Sequence, residues 1–409
     1  MTGRGTDPRA AVVGGGPAGL AAAEVLATAG VAVTVHERMR SVGRKLQLAG
    51  RGGLNLTHGE PEDALLDRYG PARDRLAPAI AGFGQDDLRA WCAGLGHETF
   101  VGTSGRVFPV GLRATGLLRS WLERLADLGV ELAVGETWLG WAGDGLVIRG
   151  AGVEERTVRA DVCVLALGGA SWPRVGADGA WVDVVRTAGI EVTPLRPANV
   201  GFEVAWSTVF AERFAGTPLK NVSLTFGGRT VRGEAMVTRA GIEGGAVYAL
   251  SAPLRDALSA GGVVHLEVDL QPDLEVAALA ARLGRARPSD SFATVVRRAG
   301  LAPVAGALLR EVTGNHPPHD PSALAALVKD LPLGLEGVQS LDRAISTAGG
   351  IALTEVDDDL MLRSRPGTFV AGEMLDWEAP TGGYLLQGAF STGVAAGRGA
   401  LRWLDRTAS

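Results

Sequence analysis

The chain has 409 residues, 46% of them hydrophobic and 21% charged, with a net charge of -5 at pH 7. This is enough apolar material for two or three domains around a large core, and it excludes a disordered chain. The acidic balance gives nucleic acid and anionic membranes no footing as partners, and no 18-residue apolar stretch lacks charges or turn residues.

Met1 to Arg9 is polar, without the apolar segment of a signal peptide, so cytoplasmic residence is expected. Val12 and Val13 then end an apolar run that reads as a buried strand, followed by Gly14, Gly16 and Gly19 in G-x-G-x-x-G spacing. Gly14 serves the tight turn, Gly16 leaves room for a pyrophosphate, and Gly19 lets the next helix press on the sheet. Pro17 and Ala18 open that helix, whose free N–H groups suit phosphate oxygens. Gly30 suits the helix end, and Val31, Val33 and Val35 alternate as a second strand. Glu37 closes that strand 18 residues past Gly19, where a carboxylate accepts hydrogen bonds from an adenosine ribose; Arg38 follows it.

Gly43 to Glu60 reads as a long glycine-rich basic loop, in which Arg44, Lys45 and Arg51 face phosphate or a substrate carboxylate, or simply water. Helices are expected over Gln85 to Leu95 and Leu117 to Leu128, and a short strand over Val130 to Val134. Leu139 to Arg149 and Arg156 to Ala160 suggest a hairpin. Asp161 to Leu167 is another buried strand, running into Gly168 and Gly169, a pairing that suits close approach to a ligand. From about Pro194 to Leu270 the pattern becomes mostly β, with strands at Val222 to Phe226 and Val263 to Leu270. Four helices follow: Leu274 to Leu283, Ser291 to Ala299, Pro303 to Val312 and Ser322 to Lys329, separated by Pro288, Pro317 and Pro318.

The glycine-rich texture returns from Ser346, and Thr368 to Ala371 forms a last strand before Gly372 and Glu373. Glu373 is placed to hold the ribityl hydroxyls of a flavin, with Asp376 in support. Gly382 and Gly383 lead into a helix beginning near Tyr384, through Leu385, Leu386 and Gln387. Its first N–H groups lack internal partners and suit the pyrimidine edge of a flavin. Ala389, Gly393, Ala396 and Ala400 let this helix approach the first one closely. The alternative for this segment is a plain buried helix. Two cofactor-like segments favour FAD, held non-covalently, over NAD alone. The expected layout is an α/β fold: a discontinuous FAD-binding domain of residues 1–193 and 345–409, a β-rich insertion at 194–273, and a small helical cap at 274–344.

Cys92 and Cys163 belong to no C-x-x-C pair, so no redox disulfide is available. For proton transfer or substrate orientation the candidates are Tyr384, His58, Arg106 and Arg174. Tyr384 reads equally as a packing aromatic, and His58 as an ordinary loop histidine. Trp172 and Trp377 either wall a pocket or fill the core. His316 and His319, in NHPPHD, are assigned no metal, because the prolines favour a turn and no further ligands cluster there.

GGGPAGLAAAEVL, GRKLQLAGRGGLNLT, LALGGASWPRVGADG and AGEMLDWEAPTGGYLLQGAFSTG resemble the bacterial NAD(P)/FAD-dependent oxidoreductases that include the bile-acid-inducible flavoproteins and the aminoacetone-oxidase-family FAD-binding enzymes. The resemblance spans the chain. It implies a glutathione-reductase-like FAD-binding Rossmann domain, with Gly14, Gly16 and Gly19 at the pyrophosphate and Glu37 at the ribose. It also implies Arg44 and Lys45 near the cofactor, and Gly372, Glu373 and Gly382 to Gln387 at the ribityl chain and flavin ring. Many relatives read GRCNLT where this chain has GGLNLT, so Leu54 removes a thiol from that place. The expected function is an FAD-dependent oxidoreductase acting on a small organic substrate, with NAD(P)H as a possible transient donor. The alternatives are a flavin-binding sensor or assembly protein without turnover, and an NAD-only dehydrogenase. A protein partner is left open.

Overall fold

The computed structural model describes residues 8–152, 154–287 and 289–408, apart from the side chain of Arg51. The expected tail, the basic role of Arg51 and the break at Pro288 therefore fall wholly or largely outside the described residues. Two compact units emerge, one of residues 1–196 and 346–409, the other of residues 197–345.

The first unit is built on a five-stranded parallel sheet in the order Thr368–Val370, Val162–Leu165, Arg9–Val13, Ala32–Glu37, Glu131–Val134. The three strands at and beside its centre from the Thr368 side are almost wholly buried, which explains their unbroken apolar runs: strands covered on both faces cannot alternate. Helix Pro17–Thr28 returns from the first strand, and the 25-residue helix Tyr384–Ala408 packs against it. Small residues decide that contact. A Cβ at Gly393 would lie 2.3 Å from the Ala18 carbonyl oxygen, and one at Gly397 2.9 Å from Val25 Cβ. The predicted hairpin is one strand richer than expected, an antiparallel set of Thr137–Ala142, Gly145–Arg149 and Glu155–Val158.

The long loop expected over Gly43 to Glu60 is instead ordered. It contains helix Arg44–Ala49, a 3-10 turn at Gly50–Gly52 and strand Thr57–His58, which pairs with Arg106–Pro109 in a three-stranded antiparallel sheet completed by Thr99–Val101. Leu46, Leu54 and Leu56 are fully buried there. These three apolar anchors among many glycines read as a loop because the strand that the segment pairs with lies 50 residues away in sequence.

The second unit carries a seven-stranded sheet: Leu331–Leu335, Val264–Asp269, Pro218–Phe226, Arg229–Val237, Gly241–Glu243, Phe202–Glu203 and Gly337–Val338. Helices Val276–Leu283, Phe292–Arg298, Pro303–Val312 and Pro321–Lys329 share one apolar core with it. The division expected between 194–273 and 274–344 is corrected by this sheet: Leu331–Leu335 pairs with Val264–Asp269, so the helical segment is sewn into the β insertion rather than forming a cap of its own.

Cys92 and Cys163 are free and buried, and burial pushes both thiols up to about 12. Only the thiolate is nucleophilic. The folded protein should therefore show no rapid thiol with a disulfide reagent at pH 8, and two after denaturation; fast labelling of the native chain would contradict this burial.

Candidate cofactor and active site

The first strand delivers Gly14 with φ of +108°, a conformation open to glycine, and a Cβ there would sit 2.2 Å from the Ala166 carbonyl oxygen. A Cβ at Gly19 would lie 1.9 Å from the Gly14 oxygen, so turn and helix are in backbone contact. Gly16 differs: a Cβ there would meet nothing within 4 Å, and its φ of -85° is ordinary. The helix that starts at Pro17 has no side-chain cap and no acid in its first turn. Open space faces uncapped N–H groups, a cradle for an anion.

Glu37 is tied back onto this turn, its carboxylate accepting from Gly15 N at 2.8 Å and Met39 N at 2.7 Å. Arg38 reaches the neighbouring segment, donating to the Gly176 carbonyl at 3.1 Å and pairing with Asp178 at 2.5 Å.

Three stretches far apart in sequence meet at Glu373. Its Oε2 accepts from Lys45 Nζ at 2.6 Å, with Gly169 N at 3.4 Å, and its Oε1 accepts from Thr347 N at 2.9 Å. Lys45 also donates to Ser171 Oγ at 2.7 Å, and Thr347 Oγ1 accepts from Ala170 N at 2.8 Å. Gly169 has no room for a side chain, since a Cβ would lie 2.4 Å from Thr347 Oγ1. The Gly168 carbonyl accepts from Trp181 Nε1 at 2.9 Å. Gly372 sits against Ala18 and donates its N–H to Thr392 Oγ1 at 2.9 Å, which locks the end of the last strand to the C-terminal helix.

Gly382 and Gly383 both have positive φ, and a Cβ at Gly383 would fall 2.5 Å from the Thr57 carbonyl. The start of the C-terminal helix thus rests on the Thr57–His58 strand. Gly383→Ala should cost about 2–4 kcal/mol through strain and collision and lower the melting temperature; an unchanged thermal transition would show that the contact is dispensable.

Tyr384, 4% exposed, stacks on His58 with ring centroids 5.3 Å apart and 22° between planes. The Arg68 guanidinium lies over the Tyr384 ring, 5.7 Å from its centroid, and grips Glu60 with two bonds of 3.0 and 2.7 Å. Burial pushes the Tyr384 hydroxyl up, and its hydrogen bond to Glu60 adds to the shift. Burial alone would raise the Glu60 carboxyl, but hydrogen bonds from Arg68 and Tyr384 outweigh it and hold the group below its ordinary value. His58 has both nitrogens occupied: Nδ1 accepts from Glu60 N at 3.3 Å, leaving Nε2 to donate to the Ser104 carbonyl at 3.1 Å. Tyr384 and His58 are brought together; Arg106 sits opposite His58 on the sheet, and Arg174 lies exposed in the turn Pro173–Val175.

Other expectations are corrected. Asp376 does not support Glu373: its carboxylate accepts from Thr193 Oγ1 at 2.7 Å. Trp377 is core, donating to the Gly372 carbonyl at 2.8 Å and meeting Tyr69 edge-on. Trp172 is partly exposed and held at φ of +62°. Arg44 touches Ser41 Oγ at 3.4 Å, while Leu385 and Leu386 are partly buried in the first turn of the long helix. Sequence reasoning missed Glu60, Arg68, Ser171 and Thr347. Ser171 and Thr347 follow or precede paired glycines, a usable signal; Arg68 has none.

Among the described residues, the buried side-chain polar atoms without a hydrogen-bond partner include Arg44 Nε, Asn55 Oδ1, Thr57 Oγ1 and Gln387 Oε1, while others, His36 Nε2, Trp138 Nε1 and Trp141 Nε1 among them, lie outside this site. Gln387 is fully buried, with its amide nitrogen fixed on the Phe83 carbonyl at 2.9 Å and Ser391 Oγ at 3.0 Å. Such atoms each cost about 1–3 kcal/mol if nothing meets them. The Arg44, Asn55, Thr57 and Gln387 atoms lie in the two segments expected to hold the cofactor. Together with the open space at Gly16, they fit the polar groups of a dinucleotide.

The family model described as the HI0933-like protein Rossmann domain matches residues 8–399. The chain belongs to the HI0933-like family. A relative from Clostridium scindens, "3-dehydro-bile acid delta(4,6)-reductase", is 28% identical to this HI0933-like chain, over 96% of it and 98% of the relative. The Escherichia coli "Ribosomal RNA dihydrouridine synthase" is 24% identical over 94% and 96%. Among solved structures, 3-ketosteroid delta1-dehydrogenase from Sterolibacterium denitrificans matches with a TM-score of 0.50 and 13% identity, over 96% of this chain and 99% of that one. The HI0933-like chain has the Rossmann-type FAD-binding fold, mixed α/β with a parallel sheet and added antiparallel sheets. No helix among the described residues is long and apolar enough to cross a membrane, and no group of three or more potential metal ligands occurs among them.

Proposed function

We propose that this protein binds FAD non-covalently and works in the cytoplasm as an oxidoreductase that saturates a carbon–carbon double bond conjugated to a carbonyl in a small organic molecule. The observation that carries the reading is the convergence of unpartnered Arg44, Asn55, Thr57 and Gln387 atoms with an uncapped glycine turn. Two relatives support the choice of bond, since a delta(4,6)-reductase and a dihydrouridine synthase both saturate a double bond. FAD, when bound, supplies hydride or single-electron transfer.

The chain's own residues do the rest. Gly16 and the first turn of the following helix receive the pyrophosphate, and Glu37 the adenosine ribose. Lys45, Glu373 and the Gly382–Gln387 turn hold the ribityl and ring end. Tyr384 keeps a transferable proton on its hydroxyl, shared with Glu60, and His58 positions the ring by stacking. With both cysteines buried as thiols and Leu54 in the core, no thiol relays electrons. NADH or NADPH is the transient electron donor.

Purified protein should be yellow, release FAD on acid precipitation, and bleach anaerobically with NADH or NADPH. An α,β-unsaturated ketone should then restore the colour. Protein that takes up no FAD would sink the proposal, whereas bound flavin inert to every donor and acceptor would favour a sensor.

A further inference from the structure

The small antiparallel sheet beside Tyr384 has two unlike faces. Its register sets Thr57 and Val101 on either side of Val107, His58 opposite Arg106, and Phe100 opposite Phe108. Cross-strand partners share a face, as do residues two apart along a strand. One face is therefore Thr57, Val107 and Val101, and the other His58, Arg106, Phe108 and Phe100. Thr57 and Val107 are fully buried, with Val101 at the outer edge of that face 49% exposed; on the other face Arg106 is exposed and Phe100 keeps 41% of its surface in solvent.

Rings line this second face. Phe100 and Phe108 lie 5.8 Å apart at 31°, and beyond Arg106 the row continues through His58 to Tyr384. Two glycines border Phe108: a Cβ at Gly53 would sit 3.7 Å from its Cε1, and one at Gly102 3.3 Å from its Cε2. Neither neighbour covers the ring with a side chain. Arg106 makes no side-chain hydrogen bond or ion pair among the described residues. The nearby acid, Glu60, is engaged by Arg68. An apolar shelf with one uncommitted guanidinium complements an apolar anion.

We propose that the His58–Arg106–Phe108–Phe100 face is the substrate platform, taking a planar apolar molecule with one carboxylate or similar anion, its rings on the phenylalanines and its charge on Arg106. The proposal rests on the FAD reading for its place beside the reaction. An RNA strand would need a row of cations for its phosphates, and this face offers Arg106 alone beside a histidine already bonded at both nitrogens, on a chain of net charge -5.

Calorimetric titration of FAD-loaded protein with 2-naphthoate, 2-naphthamide, acetate and a short oligouridylate tests it. Naphthoate should bind roughly tenfold more tightly than the neutral amide, and acetate should not bind in the same range. Arg106→Gln should erase the difference between naphthoate and naphthamide, and Arg106→Lys should restore part of it. Phe100→Ser, at an exposed site, should weaken both about three- to tenfold. Naphthoate binding unchanged in Arg106→Gln, no naphthoate binding by wild type, or oligouridylate binding in its place would each overturn the platform. FAD content is read from absorbance in every sample: full FAD without naphthoate binding refutes the platform alone, while naphthoate binding by protein that takes up no FAD refutes the cofactor reading and supports the platform.

Discussion

Replacing Gly16 by valine is expected to give a folded protein that no longer retains FAD. The backbone at Gly16, φ -85° and ψ 179°, is extended and suits a β-branched residue, and the added side chain would meet no protein atom within 4 Å of its Cβ. Stability should therefore change by less than about 1 kcal/mol. The space filled is that in front of the helix N–H groups, where pyrophosphate oxygens must come within hydrogen-bond range. Losing that approach should weaken FAD at least roughly a hundredfold, near 2.7 kcal/mol. Gly19→Ala makes the contrast. Its methyl would collide with the Gly14 oxygen, so stability and cofactor should fall together. Circular dichroism, thermal unfolding and FAD fluorescence titration on both variants decide it; a Gly16→Val protein that keeps its flavin would refute the pyrophosphate site.

Glu373→Ala should be the more destabilising change, with flavin retention weakened as well. The carboxylate is 15% exposed and its lysine partner 29%. Removing it strands the Thr347 N–H and leaves the Lys45 ammonium on the Ser171 hydroxyl in place of a carboxylate. Unmet buried donors and a half-buried unpaired charge together cost about 2–3 kcal/mol, or roughly 5–10 °C of melting temperature for a unit of this size. Glu373→Gln should recover part of this by keeping an oxygen for Thr347. Lys45→Met combined with Glu373→Leu should recover more stability than flavin binding, because an apolar pair replaces the ion pair in packing but cannot bond a ribityl chain. Equal melting temperatures for wild type and Glu373→Ala would show that the junction is ornamental to the fold.

Much of this site was legible along the chain. The close backbone contacts at Gly14 and Gly19 and the open space at Gly16 follow from their spacing, because a strand–turn–helix unit is governed by local backbone sterics. Gly393 and its neighbours announced a close helix contact for the same reason: missing side chains are visible in sequence. Glu373, Lys45 and Gly169 are each legible as site residues, yet their pairing is not, and Thr347 is missed altogether. Lys45, Gly169 and Thr347 are separated from Glu373 by 26 to 328 residues, and no local rule pairs them. Asp376, three residues away, looked like the natural support but faces Thr193 instead.

The segment from Gly43 to Glu60 shows the limit most clearly. Its glycines suggested a loop, while Leu46, Leu54 and Leu56 found burial against distant elements and made it a helix and a strand. Leu331–Leu335 likewise joined the insertion sheet because Val264–Asp269 offered an open edge.

The sequence by itself determined the nucleotide-binding unit, the parallel core strands and the absence of a thiol pair, since each depends on residue type and spacing within a few turns of backbone. Tertiary structure alone decided the Glu373 junction, the Glu60–Arg68–Tyr384 cluster and the two-faced sheet carrying Arg106. Those are meetings of side chains far apart in the chain, and long-range packing, which no local propensity encodes, brings them within bonding distance.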